Sequence, residues 1–549
     1  MAGTGKYWWP PEPGPEQTVR EMLGKRVAER GRKPALIAPS LLDAGAETTL
    51  TYGQLGERAA RMASVLAAAG VGPGDRVGIL LDNDGAVEAH VTYHASHLLG
   101  AINVPLNTRY VQRELEYVLG FIEPAALVFA PAFAERLGTL RPALGDAALI
   151  EATTGPGALG RPLAELLASV EPLAEPTPLD PDQDADWLFT SGTTGNPKAV
   201  ALTHRGSVAC GYQSVGAWAL EPNAVYQSFA PFFTSTGCHS NLLACVAAGC
   251  AYVVEPEFDV HATLERIERH RTTSTFLINT VLALILERRT PEELDAYDFS
   301  ALRRVCYGAQ PSSPAFYRRV WEEIGRKWDV ELVNVYGLTE GGTTGIYLSD
   351  ADHPEALERI GPWGLSIGRT GFREWVEWTV LREEDDAPAA PNEVGELCVR
   401  GPSTMSRYVD NPEETARALR DGWLHTGDSA TLDEDGFLFF VDRNKQLIRR
   451  GGLNISSAEV EGVLLEHPAV FEVAVVPLPN PVFGHDVRGV VVPEPGTSPT
   501  PEELIAFCAE RLADYKVPTQ IDFIDALPRN GMNRVIKGVL TGDNDSLSA

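Results

Sequence analysis

The segment from Leu188 to Lys198 carries the residue types best suited to holding a small anion. Directly after an apolar pair, it places four hydroxyl side chains, two glycines and one lysine. Glycine lets the backbone approach an anion closely, hydroxyl and amide groups donate hydrogen bonds to phosphate oxygens, and a lysine ammonium adds positive charge. The spacing differs from the Gly-x-x-x-x-Gly-Lys-Ser/Thr of a Walker loop. Composition alone leaves both a phosphate-binding loop and an ordinary surface turn open.

Alternating helix and strand patterns predict the scaffold that positions this segment. Residues 52–69 have helical spacing and stop at Gly70, and the apolar run Arg76–Leu81 is typical of a buried strand. A second helical pattern over residues 86–99 stops at Gly100. Alternation of this kind over most of the chain predicts mostly parallel sheets with helices on both faces.

Composition and charge exclude several classes of protein. The 549 residues include 46 basic and 75 acidic side chains, a net charge of -29 that argues against nucleic-acid binding because phosphate contacts need clustered Lys and Arg. The most apolar stretch, about residues 242–254, is shorter than the roughly 18 residues of a membrane span, and the first 14 residues lack the apolar core of a secretory signal. Seven scattered cysteines without a C-x-x-C pair argue against a disulfide framework or a cysteine zinc site. We expect a cytoplasmic protein.

Five segments, in order, resemble the motifs of one enzyme superfamily. Thr190–Lys198 resembles the signature loop of the adenylate-forming enzymes, which comprise acyl-CoA synthetases, luciferases and peptide-synthetase adenylation domains. Tyr336–Glu340 and Gly422–Asp428 are similar to the fifth and seventh motifs of that superfamily. Asp442–Glu461 resembles its hinge motif, in a form closer to CoA ligases, and Tyr515–Asn530 resembles the approach to its last motif. The chain is thus identified as a member that is closest to acyl-CoA synthetases.

This resemblance implies an α/β fold with two domains. The large N-terminal domain would contain two stacked α/β sheets plus a β-barrel-like region, and the small C-terminal domain would be mobile and α+β. The residues indicate the same division, because a turn-rich β region ends near residue 442 and a compact α/β unit follows. We predict an ATP- and acyl-binding domain over residues 1–442, a hinge over 443–446 and a C-terminal domain over 447–549.

The resemblance also implies a two-step reaction that uses ATP, Mg²⁺ and CoA. A carboxylate first attacks the α-phosphate of ATP to give acyl-AMP and pyrophosphate, and the thiol of CoA then displaces AMP. The first step needs mainly positioning and neutralisation of charge, which suits a loop of donors with a metal ion. The expected partners are a small carboxylic acid, ATP and CoA, and a homodimer is a further expectation.

By resemblance, two of the motifs hold the phosphates of ATP. Lys198 supplies positive charge, Thr339 donates to the α-phosphate, and Glu340 binds Mg²⁺. Outside its motif, Glu340 would be explained more simply as a solvated surface carboxylate. The other residues of the phosphate cradle are Thr190, Ser191, Gly192, Thr193, Thr194 and Gly195.

Adenosine and the thiol are assigned to other residues in the same way. Asp428 accepts both ribose hydroxyls, which suits the two oxygens of a carboxylate, and Tyr336 lies beside adenine next to Gly337. Arg443 bonds the ribose or a phosphate, and Lys445 marks the hinge at which the small domain rotates between two poses. A third set of residues is expected to line a pantetheine tunnel, and a solvated basic turn is the alternative explanation of this set. The residues expected to line a pantetheine tunnel are Arg449, Arg450, Gly451 and Gly452.

The last motif departs from the family pattern. The family presents Pro-x-x-x-x-Gly-Lys, whose lysine reaches the substrate carboxylate and the α-phosphate, whereas this chain has Asn533 at the glycine and Arg534 at the lysine. A planar guanidinium is bulkier than an ammonium and needs a different geometry. We expect Arg534 to take the catalytic role with a slowed or specialised adenylation step. Lys537 would replace it only if the loop shifts by about one turn.

The acyl pocket is predicted from three further segments. Thr234 stands where many relatives have histidine, and Gln310 occupies a position that is usually small, so both indicate an altered carboxylate site. His239 is expected to be an ordinary core histidine. Because no cationic cluster is evident, the pocket suits a mostly apolar acid. The predicted lining residues are Phe233, Thr234, Asn279, Thr280, Gly308, Ala309 and Gln310.

Several alternatives to an acyl-CoA synthetase stay open at the level of sequence. The same fold would also serve an enzyme that loads a carrier protein, although no carrier domain follows Leu540. The change at Arg534 also allows an enzyme that only forms thioesters from acyl-AMP, or a non-catalytic nucleotide-binding relative. Luciferase-like oxygenation is more remote. A Ser-His-Asp mechanism is not supported, because no Gly-x-Ser-x-Gly elbow occurs in a suitable context.

Overall fold

The chain forms two compact units. The first comprises Met1–Tyr307, Tyr336–Gly345 and Arg400–Arg417, and the second comprises Gly308–Val335, Ile346–Val399 and Ala418–Ala549. The boundary predicted at residues 443–446 stays a prediction, because residues 444–447 lie outside the described part of the chain. The computed structural model describes residues 16–190, 197–294, 296–308, 314–342, 345–360, 364–369, 376–443, 448–450, 453–455, 457–480, 484–512, 514–529 and 535–541.

The helices begin and end at residues with the expected capping chemistry. The predicted helices at 52–69 and 86–99 are confirmed, and Gly100 ends the second with a left-handed φ of 71°. Thr51 and Gln54 form a reciprocal capping box that satisfies backbone N–H groups at the start of the first. Measured against the length and hydropathy of a bilayer-spanning helix, every helix in the described residues falls short. In chain order, these α-helices are α1 Val19–Arg30, α2 Tyr52–Ala68, α3 Ala86–Leu99, α4 Gln112–Ile122, α5 Ala134–Gly138, α6 Arg141–Leu144, α7 Leu163–Ala168, α8 His204–Trp218, α9 Leu242–Ala248, α10 Val260–Arg269, α11 Asn279–Arg288, α12 Pro291–Leu294, α13 Pro314–Arg319, α14 His353–Glu358, α15 Pro412–Ala418, α16 Ser457–Leu464, α17 Pro501–Ala509 and α18 Lys537–Leu540.

The strands are short and mostly buried. The strand predicted at 76–81 is confirmed as Arg76–Leu80, whose residues after the first are all buried. In chain order, the strands of the described residues are β1 Pro34–Ser40, β2 Ala46–Thr51, β3 Arg76–Leu80, β4 Ile102–Pro105, β5 Ala126–Phe129, β6 Ala148–Glu151, β7 Arg161–Pro162, β8 Asp184–Thr190, β9 Lys198–Thr203, β10 Val225–Ser228, β11 Ala251–Val254, β12 Ser274–Ile278, β13 Arg304–Gly308, β14 Glu331–Tyr336, β15 Ile346–Leu348, β16 Gly368–Arg369, β17 Glu377–Leu381, β18 Val394–Arg400, β19 Arg407–Tyr408, β20 Leu419–Arg420, β21 Trp423–Leu432, β22 Phe437–Arg443, β23 Ile448–Arg450, β24 Leu453–Ile455, β25 Val470–Asn480, β26 Gly484–Pro493 and β27 Gln520–Phe523.

Two sheets form the first unit. One has the strand order β13-β12-β10-β11-β1-β2 and is parallel from β12 to β1 in the pairs that are resolved. The other has the order β19-β9-β8-β4-β3-β5-β6-β7, parallel through its centre but antiparallel at β8, β9 and β19. Helix α3 packs against β1 of the first sheet and against β3 and β4 of the second. Every residue of α3 except Leu98 is buried, as a helix between two sheets requires.

The second unit contains two further sheets. An antiparallel sheet has the order β16-β22-β21-β18-β17, with β20 paired to β21. A C-terminal sheet has the order β24-β23-β26-β25, with β27 parallel to β26, and packs its apolar face on α16 and α17. The predicted α/β fold class is confirmed by this mixture of two large sheets, a further β region and a smaller C-terminal α+β part.

A buried carboxylate ties together several elements of the first unit. Asp186 on β8 is fully buried, and its Oδ2 accepts hydrogen bonds from Ser207 Oγ at 2.9 Å and Tyr93 OH at 3.3 Å. His239 Nε2 lies 2.9 Å from the same oxygen, and His97 Nε2 lies 3.4 Å from Oδ1. Burial by itself would raise the pKa of Asp186, but the two histidines outweigh it and hold that pKa well below its usual range.

His239 is a core histidine, as predicted, and it is ion-paired. Burial lowers its pKa, but the charge of Asp186 outweighs burial and raises the pKa to about 9 from an ordinary 6.5. A raised pKa means that this imidazolium stabilises the fold fully below pH 6.5 and that its contribution is lost as the pH rises through 9. The Asp186 carboxylate contributes above its own ordinary pKa and loses its contribution in acid.

Replacement of the buried carboxylate should therefore have a pH-dependent cost. Asp186→Asn should lower the free energy of unfolding by about 3 kcal/mol at pH 6.5, because a buried ion pair loses one partner. The loss should shrink above pH 9, where His239 is neutral in the wild type as well. Denaturant unfolding at pH 6.5 and at a pH above 9 measures the loss of unfolding free energy under each condition. Asp182→Asn, which removes an exposed carboxylate paired with Arg205, is the control with little expected change. An equal loss at both pH values would contradict the ion pair.

Candidate nucleotide and acyl-binding site

The predicted phosphate loop connects two paired antiparallel strands. Strand β8 ends at Thr190, β9 begins at Lys198, and these two residues face each other in the antiparallel register. Cross-strand partners of this kind lie about 5 Å apart, so the hairpin brings both ends of the loop to one place. The predicted cradle residues between them, Ser191, Gly192, Thr193, Thr194 and Gly195, lie outside the described residues.

Lys198 lies among acidic and aromatic side chains. Its Nζ is 2.6 Å from Glu414 Oε2 on α15 and 5.4 Å from the ring centroid of Tyr408. Tyr408 is positioned by strand β19, which pairs antiparallel with β9 and sets Tyr408 opposite Val200. The Lys198 and Glu414 side chains are 17% and 24% exposed, so solvent reaches this ion pair.

Glu340 is held beside the same tyrosine. It lies in a single 3₁₀ turn, Thr339–Gly341, and its Oε1 accepts a hydrogen bond from Tyr408 OH at 2.9 Å. Its backbone oxygen accepts from Met405 N at 2.8 Å. Burial and the charge of Glu340 both raise the pKa of Tyr408 well above its usual range, so the phenol remains a donor. Tyr408 therefore contacts both Lys198 and Glu340, two residues that the sequence places in separate motifs.

Close packing of backbone fixes the turn that carries Glu340. Gly342 has a φ of 71°, and a Cβ at this position would lie 2.5 Å from Ser403, so only glycine fits. Ser403 Oγ lies 3.1 Å from the oxygen of Gly341 and 2.9 Å from Gln213 Oε1. These contacts join the turn to the chain segment that leads into Tyr408.

The other predicted residues of this turn lie close by. Thr339 Oγ1 lies 3.0 Å from Ser235 Oγ, which joins the turn to the predicted acyl segment. Tyr336 ends β14 and is half-buried, and Gly337, which follows it, is exposed. All three residues belong to the first unit, as does Lys198.

The predicted acyl segment begins with a capped turn. The Thr234 hydroxyl donates to the oxygen of Pro231 at 2.7 Å and accepts from Gly237 N at 3.0 Å. It thereby caps a π-helical segment, Ser235–Asn241, which carries His239 into the core. Phe233 is buried beside it. Threonine at the position of the usual histidine therefore fixes the start of this segment.

The remaining predicted pocket residues come from both units. Asn279 and Thr280 begin α11 in the first unit, the former buried and the latter exposed. Gly308 belongs to the second unit and has a φ of 140°, and a Cβ there would lie 2.3 Å from a backbone oxygen of β14. Ala309 and Gln310 lie outside the described residues.

The predicted ribose carboxylate lies in the second unit. Asp428 on β21 is buried and faces Arg443 of β22 in the antiparallel register. The turn before it is held by Glu396, whose Oε2 is 2.8 Å from His425 Nδ1 and whose Oε1 accepts from Gly427 N at 2.9 Å. The carboxylate of Glu396 thus orients the strand that presents Asp428. The side chain of Arg443 lies outside the described part.

Predicted residues of the C-terminal part are only partly described. Lys537 begins α18, and its Nζ lies 2.6 Å from Ser457 Oγ and 2.8 Å from Glu461 Oε1, both on α16. This lysine therefore binds α18 to α16. Arg450 Nε lies 2.9 Å from Asp486 Oδ1. Arg449 belongs to β23, and its side chain lies outside the described part, as do all of Lys445, Gly451, Gly452 and Arg534.

Sequence reasoning missed two residues of the first-unit site, Tyr408 and Glu414. They lie 210 residues or more after Lys198 in the chain, and neither belongs to the motifs considered above. The antiparallel pairing of β19 with β9 brings them to Lys198. A weak signal was available, since the Asn-Pro at 411–412 followed by two glutamates predicts a helix start just after a short strand.

Comparison with known proteins identifies the family. A family model described as AMP-binding enzyme matches residues 23–409, and a model of the AMP-binding enzyme C-terminal domain matches residues 459–533. A feruloyl-CoA synthase of Amycolatopsis sp is 35% identical over 89% of this chain and 93% of that protein. A crotonobetaine/carnitine–CoA ligase of Citrobacter koseri is 31% identical over 95% of this chain and 98% of that protein.

A solved structure agrees with these relatives. O-succinylbenzoate coenzyme A synthetase from Bacillus subtilis, in complex with AMP, superposes with a TM-score of 0.80 at 29% identity and covers 94% of this chain and 97% of that one. The first family model includes both Lys198 and Glu340. The chain belongs to the AMP-binding enzyme family and is an acyl-CoA synthetase of the adenylate-forming superfamily, an AMP-forming acid–thiol ligase that uses ATP and CoA.

Proposed function

We propose that this acyl-CoA synthetase activates a mostly apolar carboxylic acid at a site in which Lys198 and Glu340 act on the phosphates of ATP. The observation that carries this proposal is the meeting of both side chains at Tyr408. A cation and a carboxylate close together, beside a loop of hydroxyls and amides, match the needs of a polyphosphate with its metal ion.

In the first step, an oxygen of the acid attacks the α-phosphorus of ATP, and the bond from that phosphorus to the pyrophosphate oxygen breaks. Lys198 lies at the rim of the hairpin loop, where its ammonium neutralises charge on the leaving pyrophosphate. Thr339 donates its hydroxyl to the α-phosphate. Hydroxyl and amide donors of the loop would complete the cradle. These donors belong to Thr190, Ser191, Thr193 and Thr194.

Glu340 is chemically suited to Mg²⁺. Hard cations of this kind prefer carboxylate oxygens and usually bind one or two carboxylates together with the phosphates of the substrate. One oxygen of Glu340 accepts a hydrogen bond from Tyr408 OH, which restricts the orientation of the carboxylate and is compatible with the proposed metal role. When bound, Mg²⁺ would supply charge neutralisation on the phosphates.

Other predicted residues are assigned to adenosine and to the second step. Asp428 would accept both ribose hydroxyls, with Arg443 facing it across β21 and β22, and Tyr336 and Gly337 would contact adenine. In the second step, the sulfur of CoA attacks the acyl carbon and AMP leaves. The set proposed to line the path of the thiol is Arg449, Arg450, Gly451 and Gly452.

The hinge at residues 443–446, marked by Lys445, lies between the two segments that the family models match, 23–409 and 459–533. This placement supports the proposed domain division. Because ATP and CoA are metabolites of the cytoplasm, we further propose a cytoplasmic location. A homodimer is the remaining proposal, and light scattering of the purified chain tests it.

The acid is best identified by pyrophosphate exchange into ATP in the absence of CoA. We expect exchange with aromatic or aliphatic acids of low polarity, and ferulate is the first of these to test because of one relative. Crotonobetaine and carnitine, which carry a quaternary ammonium, and o-succinylbenzoate, which carries a second carboxylate, are the charged acids named by other relatives and serve as the contrast. Exchange with one class of acid would support the proposal. Thioester formation from supplied acyl-AMP, without any exchange, would instead indicate an enzyme of the second step alone.

Loss of the loop lysine should slow the first step. Lys198→Ala should reduce acid-dependent pyrophosphate exchange by about 100-fold, because one preorganised charge is removed from the phosphates. The control is Lys33→Ala, which removes an exposed lysine of the same unit. The measurement is the initial rate of exchange with saturating acid. A rate for Lys198→Ala that matches the control would remove Lys198 from the proposed mechanism.

The family lysine should restore a faster first step at position 534. Arg534→Lys should raise the exchange rate by about tenfold, since the smaller ammonium suits a crowded phosphate. Thioester formation from supplied acyl-AMP should not change. Arg529→Lys, at an arginine of the same motif whose side chain pairs with Glu472, is the matched control. Should Arg534→Lys leave exchange unaltered, arginine is neutral at this position.

A further inference from the structure

The ammonium of Lys198 forms an ion pair within the protein. Its Nζ lies 2.6 Å from Glu414 Oε2, a distance typical of a charge-assisted hydrogen bond. The partner is 216 residues away in the chain, and the two meet because β19 and the start of α15 pack beside β9. The proposed phosphate ligand is thus neutralised by an internal carboxylate.

Glu414 is held firmly in this position. Its backbone N donates to Asn411 Oδ1 at 3.1 Å, which caps the start of α15. Its second carboxylate oxygen pairs with Arg417, one turn further along the same helix. Because these contacts already hold the Glu414 carboxylate, it loses little further conformational entropy when it pairs with the ammonium of Lys198.

The two carboxylates of this site, those of Glu414 and Glu340, bond different groups. Burial raises the pKa of the Tyr408 hydroxyl, the charges of Glu340 and Glu414 raise it further, and Lys198 is the cation beside its ring. Lys198 bonds Glu414, whereas Glu340 accepts a hydrogen bond from the tyrosine hydroxyl. The two carboxylates thus have separate tasks, one toward the lysine and one free of it.

We propose that Glu414 is an internal counter-ion that occupies Lys198 in the nucleotide-free enzyme and yields it to the phosphates of ATP. This inference rests on the proposed function, in which Lys198 binds those phosphates. A carboxylate and a phosphate are both anionic oxygen acceptors, so they compete for one ammonium. Glu414 therefore lowers the affinity for ATP by keeping Lys198 occupied and by adding negative charge near the incoming phosphates.

The test is the dissociation constant of ATP, measured by calorimetry with Mg²⁺ and without acid or CoA. Glu414→Gln should bind ATP about two- to fivefold more tightly than the wild type, the range expected for a partly exposed ion pair. The gain should shrink at high salt because ions screen the pair. Glu413→Gln removes the same charge from the exposed neighbouring position and should not change the constant. Adenosine, which lacks phosphates, should bind all variants equally.

Two further variants separate the possible outcomes. Lys198→Ala should weaken ATP binding; if it does not, the role of Lys198 in the proposed function fails and the inference fails with it. If Lys198→Ala weakens binding but Glu414→Gln binds ATP no better than Glu413→Gln, Lys198 keeps its role and Glu414 is not a counter-ion. Glu414→Asp keeps the charge on a shorter side chain, and its constant should lie between those of the wild type and Glu414→Gln. Weaker ATP binding by both Glu414 variants would overturn the inference.

Discussion

The buried charge of Asp186 is the constraint on which the first unit depends. A carboxylate in a dry interior is costly unless cations and donors surround it, and here these come from α3, α8 and the π-helical segment that contains His239. Asp186 lies on β8, four residues before the end of the strand that carries the phosphate loop. Asp186 thus joins the strand before the predicted phosphate loop to the segment that contains His239. One buried ion pair, between Asp186 and His239, makes this link.

Tyr408 has a comparable role at the surface of the site. Its ring lies beside Lys198 and its hydroxyl donates to Glu340. One side chain thus contacts a cation and an anion that come from different motifs. An aromatic residue with a polar end suits this task, because its ring attracts the ammonium while its hydroxyl satisfies the carboxylate. Under the proposed function, nucleotide phosphates and Mg²⁺ would bind at side chains whose charges are already held in place by Tyr408.

Local chemistry explains several features that a motif alone would not. Thr234 departs from the family histidine, yet its hydroxyl has a clear task in capping the segment that leads to His239. Lys537, the predicted alternative to Arg534, bonds Ser457 and Glu461 of α16 with its ammonium. No sequence motif indicates Glu396, although its carboxylate secures the turn before Asp428. In each case a polar side chain forms a hydrogen bond or an ion pair with a neighbour from another part of the chain.

The sequence by itself determined the family, the fold class and the start and end of helices such as α2 and α3, because motif order and helical spacing are local properties. It also determined which residues are candidates for the chemistry, Lys198, Glu340 and Asp428 among them. Only the tertiary structure decided which side chains surround them. The partners Glu414 and Tyr408 reach Lys198 through strand pairing over more than 200 residues of chain, and His239 reaches Asp186 across the core. Spacing along the chain cannot specify such contacts, because they depend on the order of strands in the sheet.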